Sequence, residues 1–479
     1  MSTFFNIHSQ DNRYPESKTY SFLQKPENKH LLDYVCYDSF GGHRFPGNIP
    51  DYSTNDFIKD LNKSLKSVKE IHLWINIPVC SKRCFFCQFP TDILSKDKDL
   101  NDSKLSKWLD YNLKEAALWL EQVPHLRKVN IGEFNIFGGT PSLLSKKQIV
   151  KLITFYKDNF NFTENSTLRF EGNPSSFTKE KLEVLKTCGV TKLSCGIQSF
   201  NNDILRLANC PHDLEDIITF SRNVNEIGFD WVSGDLIYGL VNQEIHHIEN
   251  DIAQAVDLGF TGLVCSKLHL KTFSEAGTAV SGKSLAAWQS NIYREKMAAK
   301  GYVWPSIAEQ YQMRDVIVQA MAKHGFLEHP TMYFYRKDKS PERWKSLMID
   351  QDKQYPEVSL GLGGSSSCIH SEAVNITEID EYINCIDAGN LPIASVKGFT
   401  DDHKIVRSIK MALSSCTPLS DDIHTKNFPD SSLFNNHWLP VFESLENRGL
   451  ATVNTLSKSI ELTEEGQNLV EAIINTEIQ

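Results

Sequence analysis

The sequence predicts an α/β fold: an open (β/α)6 partial barrel followed by a C-terminal α+β, winged-helix-like cap. Two patterns carry this. From residue 70 onward, short apolar runs alternate with helix-like stretches, which places parallel strands inside and helices outside. Near the end, Arg448-Gly-Leu-Ala-Thr-Val and Ile460-Glu-Leu-Thr-Glu-Glu-Gly466 read as helix, hairpin, helix. The 479 residues allow about two or three domains, and 41% hydrophobic residues allow a sizeable core.

Four segments follow from these patterns. Residues 1–68 form an N-terminal arm, polar and irregular, broken by Gly41-Gly42, Pro46 and Pro50 before a short helix over Asn55–Lys66. The arm either folds over the site or stays solvated. Residues 69–272 form the barrel. Its strands are expected at 70–77, 128–137, 167–173, 190–198, 229–237 and 260–270, and its helices at 103–122, 146–159, 178–188, 213–227 and 244–258. Residues 273–400 are a connecting segment expected to serve the substrate or a second ligand, and between 272 and 357 the sequence is polar and aromatic-rich. Tyr333, Tyr335, Trp344 and Tyr355 are expected to pack a flat substrate or a small core, and Glu309 and Tyr311 are candidate substrate-facing proton donors. Residues 401–479 are the cap.

Composition excludes several classes. Net charge is −10 with no basic block, so nucleic acid is not an expected partner, and the winged-helix-like tail is not expected to bind DNA. Met1-Ser-Thr-Phe-Phe-Asn lacks the basic start and long apolar core of a signal peptide. No apolar window reaches the length of about 18 residues that a membrane span needs. Eleven cysteines, an odd number, fit a reducing compartment. The expectation is a cytoplasmic chain without a membrane partner.

The chemistry starts after the first strand. The run from Ile71 to Ile77 ends at Pro78, and Cys80-Ser-Lys-Arg-Cys84-Phe-Phe-Cys87 follows. Three thiolates on one loop fit several chemistries. Zinc patterns pair two short Cys/His arms, and no second arm lies nearby. A disulfide framework does not suit a long chain without a signal peptide. Iron–sulfur clusters take thiolates, normally four, and three would leave one iron open to a ligand. Phe85, Phe86 and Phe89 are expected to keep water from such a cluster.

Further motifs fall on successive strand ends, where ligands bind in these folds. After the second strand comes Phe137-Gly138-Gly139-Thr140-Pro141-Ser142, whose glycines let the backbone approach a ligand. After the third comes Glu171-Gly172-Asn173-Pro174, with a carboxylate placed to accept hydrogen bonds. Gln198, in Ser194-Cys-Gly-Ile-Gln-Ser-Phe200, is a lone amide in a buried-looking run and needs partners. Asp235, in Gly234-Asp-Leu-Ile-Tyr-Gly-Leu240, is a polar group within an apolar segment, and a ligand is one candidate partner.

In this order the motifs resemble the radical S-adenosylmethionine (SAM) superfamily, and within it the oxygen-independent coproporphyrinogen III oxidase-like family. That family includes haem chaperones, haem-degrading enzymes and class C methyltransferases. The likeness runs over about residues 40–470 and includes Gly361-Leu-Gly-Gly364. It implies that Cys80, Cys84 and Cys87 ligate a [4Fe–4S] cluster whose open iron chelates SAM. It implies that Phe86 flanks the adenine, and that Gly138, Gly139 and Thr140 serve the SAM amino group or a second SAM. Glu171, Gln198 and Asp235 would hold the first SAM. Gly361 and Gly363 would line the second SAM or substrate cavity. One SAM is implied, and commonly two. The implied partners are a small-molecule substrate and an electron donor such as flavodoxin or ferredoxin.

The chain departs from the family pattern at several points. Trp74-x-Asn76-Ile-Pro-Val79-Cys80 stands where the family has Tyr-x-His-Ile-Pro-Phe-Cys. Phe89 replaces a further cysteine of the porphyrin oxidase, Val241 replaces a proline, and Cys210 replaces an arginine that contacts a SAM carboxylate. Cys210 reads as a small buried hydrophobe or a reactive thiol, and His212 is expected to replace the missing cation in part. The first functional expectation is radical methyl or methylene transfer, or cyclopropanation, on a secondary metabolite or tetrapyrrole. The second is coproporphyrinogen oxidation, which the departures weaken. The third is a haem chaperone without radical chemistry, against which the long arm argues.

Overall fold

All six expected strands form, in order: β1 (Glu70–Ile77), β2 (Asn130–Gly138), β3 (Asn161–Gly172), β4 (Lys192–Gln198), β5 (Trp231–Tyr238) and β6 (Gly262–Lys267). This is a computed structural model, and it describes residues 14–35, 49–87, 89–95, 98–268, 288, 291–342 and 356–479. Each strand pairs in parallel with the next. Between them run α2 (Lys98–Gln122), α3 (Lys146–Asn159), α4 (Lys179–Thr187), α5 (Leu214–Ile227) and α6 (Ile245–Asp257), and α1 (Thr54–Leu65) leads into β1. The starts are capped as the sequence dictates. Ser145 and Gln148 form a reciprocal capping box at α3, and Asp213 and Asp216 do so at α5.

The sheet is larger than six strands. β7 (Phe326–Glu328), β8 (Tyr333–Arg336), β9 (Glu357–Leu360), β10 (Ser365–Ser367), β11 (Ser371–Asn375) and β12 (Ile393–Gly398) join it. Among the described residues its order is β12-β11-β10-β9-β1-β2-β3-β4-β5-β6-β8-β7. β9 adds a seventh parallel strand beside β1, while β8 pairs antiparallel to β6. The connecting segment therefore also extends the sheet at both edges. Residues from β1 through β8 line one cavity, so the sheet curls around it.

Its inner face is partly polar. Along β3, Thr167, Arg169 and Glu171 alternate with Leu168 and Phe170, which belong to the apolar core. Deeper inside, Glu133 of β2 faces Lys192 of β4 at 3.5 Å, and both side chains are fully buried. The ends of the chain form a second core. Leu23, Leu31 and Tyr34 pack with Leu413, Phe442 and Ile473 of the tail, where a helix (Trp438–Asn447), a hairpin (Ala451–Asn454 and Ser459–Leu462) and a final helix (Val470–Thr476) follow one another. Thr19 Oγ1 donates to Glu465 at 2.8 Å. The buried apolar side chains of residues 14–35 thus pack against the tail, and none of these residues lines the barrel cavity.

Candidate functional site

A cavity of about 820 Å³ opens at the C-terminal ends of β1 to β6. Cys80, Cys84 and Cys87 line it. Their loop is held at both ends and in the middle. Val79–Cys80 pairs with Asp92–Ile93 as a two-stranded clip. The Phe85 N–H donates to Ala208 O at 2.9 Å, and Asn209 Nδ2 donates to Arg83 O at 2.7 Å, which docks the loop on the turn after β4. Burial pushes the Cys80 thiol up to about 12, against a hydrogen bond from Thr140 that opposes the rise. A hydrogen bond with Cys210, then burial, holds Cys84 well above the usual thiol range, and burial raises Cys87.

Thiols that resist ionising alone give up their protons when a metal coordinates them. Among the described residues, no three His, Cys, Asp or Glu side chains close on a single-ion site. Three thiols from one loop that line one cavity can each serve a separate iron of a cluster. The donor set therefore fits a [4Fe–4S] cluster.

The other walls come from strand ends. Gly138 and Gly139 pass so close to the end of β1 that a Cβ would meet Asn76 Oδ1 at 1.8 Å and Val79 O at 2.6 Å. Gly138 also has φ +119. Their crowding is with the protein itself, and it brings Thr140 beside Cys80. Glu171 pairs with Arg169, whose guanidinium lies 5.5 Å from the Trp74 ring. Asp235 is lifted to about 7 by burial and then by repulsion from Glu171, with Arg169 opposing. Gln198 follows a bulge in the β4–β5 pairing and sits at φ +67. Its amide lines the cavity and makes no hydrogen bond to the described residues.

The structure thus brings Cys80, Cys84, Cys87, Phe86, Gly138, Gly139, Thr140, Glu171, Gln198 and Asp235 to one cavity. It places Gly361 and Gly363 elsewhere. Gly361, at φ +97, packs on Asn76 O and donates its N–H to buried Glu115 at 2.8 Å, while Gly363 packs on Thr377. These glycines serve a tight turn, not the cavity lining. His212 lines the cavity but is no cation. Nε2 can only donate to Ile197 O (2.9 Å), so Nδ1 accepts from Asn173 Nδ2 (2.8 Å), and burial lowers its pKa. Cys210 is buried against Cys84.

Phe86 lies near Trp288, but Phe89 is 52% exposed and shields little. Glu309 is spent on a capping box with Ser306, and Tyr311 packs in the second core. Tyr333 lines the cavity, whereas Tyr335 is buried against Trp231. Trp344 and Tyr355 lie outside the described residues. No described residue of 14–68 or 401–479 lines the cavity. Arg169 escaped the sequence reading, although it stands two positions before Glu171 and so shares its face of the strand.

Residues 74–255 match the Radical SAM superfamily profile. With the thiol triad and the strand-end series, this match gives the chain a radical SAM domain over those residues. The curated proteins it is similar to include oxygen-independent coproporphyrinogen III oxidases and HemW heme chaperones. It is 23% identical to the heme chaperone HemW of Bacillus subtilis (strain 168) over 399 residues, covering 83% of this chain and 96% of that protein. It is 28% identical to the oxygen-independent coproporphyrinogen III oxidase of Escherichia coli (strain K12) over 225 residues, 47% of this chain and 48% of that protein. The chain thus matches about half the length of that oxidase. The solved structure of coproporphyrinogen III oxidase HemN from Escherichia coli covers 92% of this chain and 97% of its own, at TM-score 0.73 and 21% identity, which shows a shared fold. Among the described residues, no helix is long and apolar enough to cross a membrane.

Proposed function

We propose that the chain holds a [4Fe–4S] cluster through Cys80, Cys84 and Cys87 and cleaves SAM reductively, using the resulting radical to abstract hydrogen from a small-molecule substrate. One observation carries this reading: three thiols and the polar strand-end groups of β3, β4 and β5 face one cavity. When bound, the cluster supplies one electron to SAM, giving methionine and a 5′-deoxyadenosyl radical. The chain's own residues bind and orient. Glu171 and Asp235 accept hydrogen bonds from SAM hydroxyl or amino groups, and Gln198 offers an amide. Arg169 pairs with Glu171 and fixes its direction. Phe86 and Trp74 exclude water around the reacting atoms. The electron donor is a carrier such as flavodoxin or ferredoxin.

We extend the proposal to a second SAM that delivers a methyl or methylene unit to a secondary metabolite or a tetrapyrrole. In anaerobic turnover with candidate substrates, S-adenosylhomocysteine should form alongside 5′-deoxyadenosine. 5′-Deoxyadenosine with carbon dioxide and no S-adenosylhomocysteine would replace this step with oxidative decarboxylation. Removing one ligand tests the cluster itself: Cys84→Ala should lose iron and sulfide after reconstitution, and a variant that keeps both would sink the assignment.

A second reading, haem binding without radical chemistry, is favoured by the alignment over 96% of the Bacillus subtilis heme chaperone. Tight one-to-one uptake of haem with no SAM cleavage would put it first.

A further inference from the structure

Gln198 reaches the cavity only because the backbone around it is forced. β4 pairs with β5 in register up to Gly196, and the register then slips before Gln198. The slip is a bulge at Ile197, and bulges beside ligand sites re-aim a side chain. Gln198 itself takes φ +67, a left-handed conformation that a non-glycine residue adopts only when its surroundings impose it. Its amide folds back over Gly196, where a Cβ would meet Nε2 at 2.8 Å.

Two buried anchors flank this kink. On the N-terminal side, His212 donates to Ile197 O at 2.9 Å and also accepts from Asn173, so it ties β4 to the end of β3. On the C-terminal side is Asp251 of α6, only 3% exposed and absent from the cavity wall. Asp251 Oδ1 accepts the Phe200 N–H at 2.8 Å, and Oδ2 accepts from Ser199 Oγ at 2.9 Å. Ser199 Oγ in turn accepts the Asn201 N–H at 3.1 Å. One carboxylate thus fixes the two residues that follow Gln198.

We propose that Asp251, acting through Ser199 and Phe200, is a positioning residue that holds Gln198 in its left-handed conformation with its amide aimed at the adenosyl ligand. This rests on the reading that Gln198 contacts SAM in this cavity. A carboxylate is well suited to the role. It accepts two donors that converge from adjacent residues, and as part of a packed helix it does not move with the loop. Asparagine keeps the acceptor for the Phe200 N–H, whereas alanine leaves both donors buried without a partner.

The test is SAM affinity measured by equilibrium titration on the cluster-loaded full chain, with the melting temperature of each variant alongside. Gln198→Ala alone tests the underlying reading: unchanged affinity refutes the contact with SAM, and the positioning role falls with it. With that contact intact, Asp251→Ala should weaken SAM about tenfold, the value of one well-formed ligand hydrogen bond, and Asp251→Asn should recover most of the loss. In a Gln198→Ala background, Asp251→Ala should add less than about twofold, because the two act on the same interaction. If the losses multiply independently, or if Asp251→Ala lowers the melting temperature and leaves affinity intact, the positioning role is overturned and Asp251 is structural only. Should Asp251→Ala fail to fold, Ser199→Ala carries the same cycle with one anchor removed.

Discussion

Asp235 should trade stability for binding, and the size of the trade follows from its surroundings. Its carboxyl rises from 3.8 to about 7, mainly by burial and then by the nearby charge of Glu171, while Arg169 opposes. At about 1.4 kcal/mol per unit, the ionised form carries a penalty of at most about 4 kcal/mol in the folded chain, and relaxation and water entry should bring it nearer about 2 kcal/mol. The sign follows from linkage. Below about pH 4 both folded and unfolded chains hold the proton, and nothing differs. Between there and the folded value, the folded chain keeps a proton that the unfolded chain has lost, so raising the pH destabilises the fold. Above about 7 the penalty is complete. Asp235→Asn removes it. Urea unfolding of the cluster-free protein, with variant and parent compared at acidic and alkaline pH, should show the variant gaining stability over the parent as pH rises through this window, while its SAM affinity falls. A difference that stays flat with pH, or that favours the parent at alkaline pH, would refute the reasoning that Asp235 is held in the cavity at a cost for the sake of its ligand.

Three further outcomes are expected. Glu115 is buried and accepts from Tyr382 Oη, Gly361 N, Asn375 Nδ2 and Trp119 Nε1, so Glu115→Ala should lose about 3–5 kcal/mol and lower the melting temperature by several degrees. Gly139→Ala would drive a Cβ into Val79 backbone atoms, which cannot yield as a side chain would, so it should cost about 1–3 kcal/mol and disturb the Cys80 end of the loop, read as reduced iron content after reconstitution. Lys192→Met removes the cation 3.5 Å from buried Glu133 and should cost about 3–5 kcal/mol; adding Glu133→Gln should recover much of that loss in the same unfolding assay.

The barrel was legible because its signals are local. β1 ends where Pro78 ends the apolar run, and α5 starts at Asp213 because the residue three positions later completes its capping box. The cavity wall was legible too, since each motif stands at the end of a strand whose position the periodicity fixes. What stayed hidden depends on distant pairing. β9 is four residues long and joins β1 across a separation that no local pattern records. Gly361 and Gly363 look like residues that make room for a ligand, yet the atoms they make room for are Asn76 and Thr377. His212 looks like a spare cation, but Ile197 O and Asn173 fix it as a neutral ring. Arg169 was within reach: its place two residues before Glu171 puts it on the inner face, and only the prior that such faces are apolar concealed it.

The central claim is that the three thiols serve SAM cleavage. The most direct measurement incubates anaerobically reconstituted protein with SAM and a strong one-electron reductant and follows 5′-deoxyadenosine by mass spectrometry, with Cys84→Ala in parallel. The account predicts 5′-deoxyadenosine from the parent chain and none from the variant. A parent chain that binds both cluster and SAM yet yields no 5′-deoxyadenosine would contradict it.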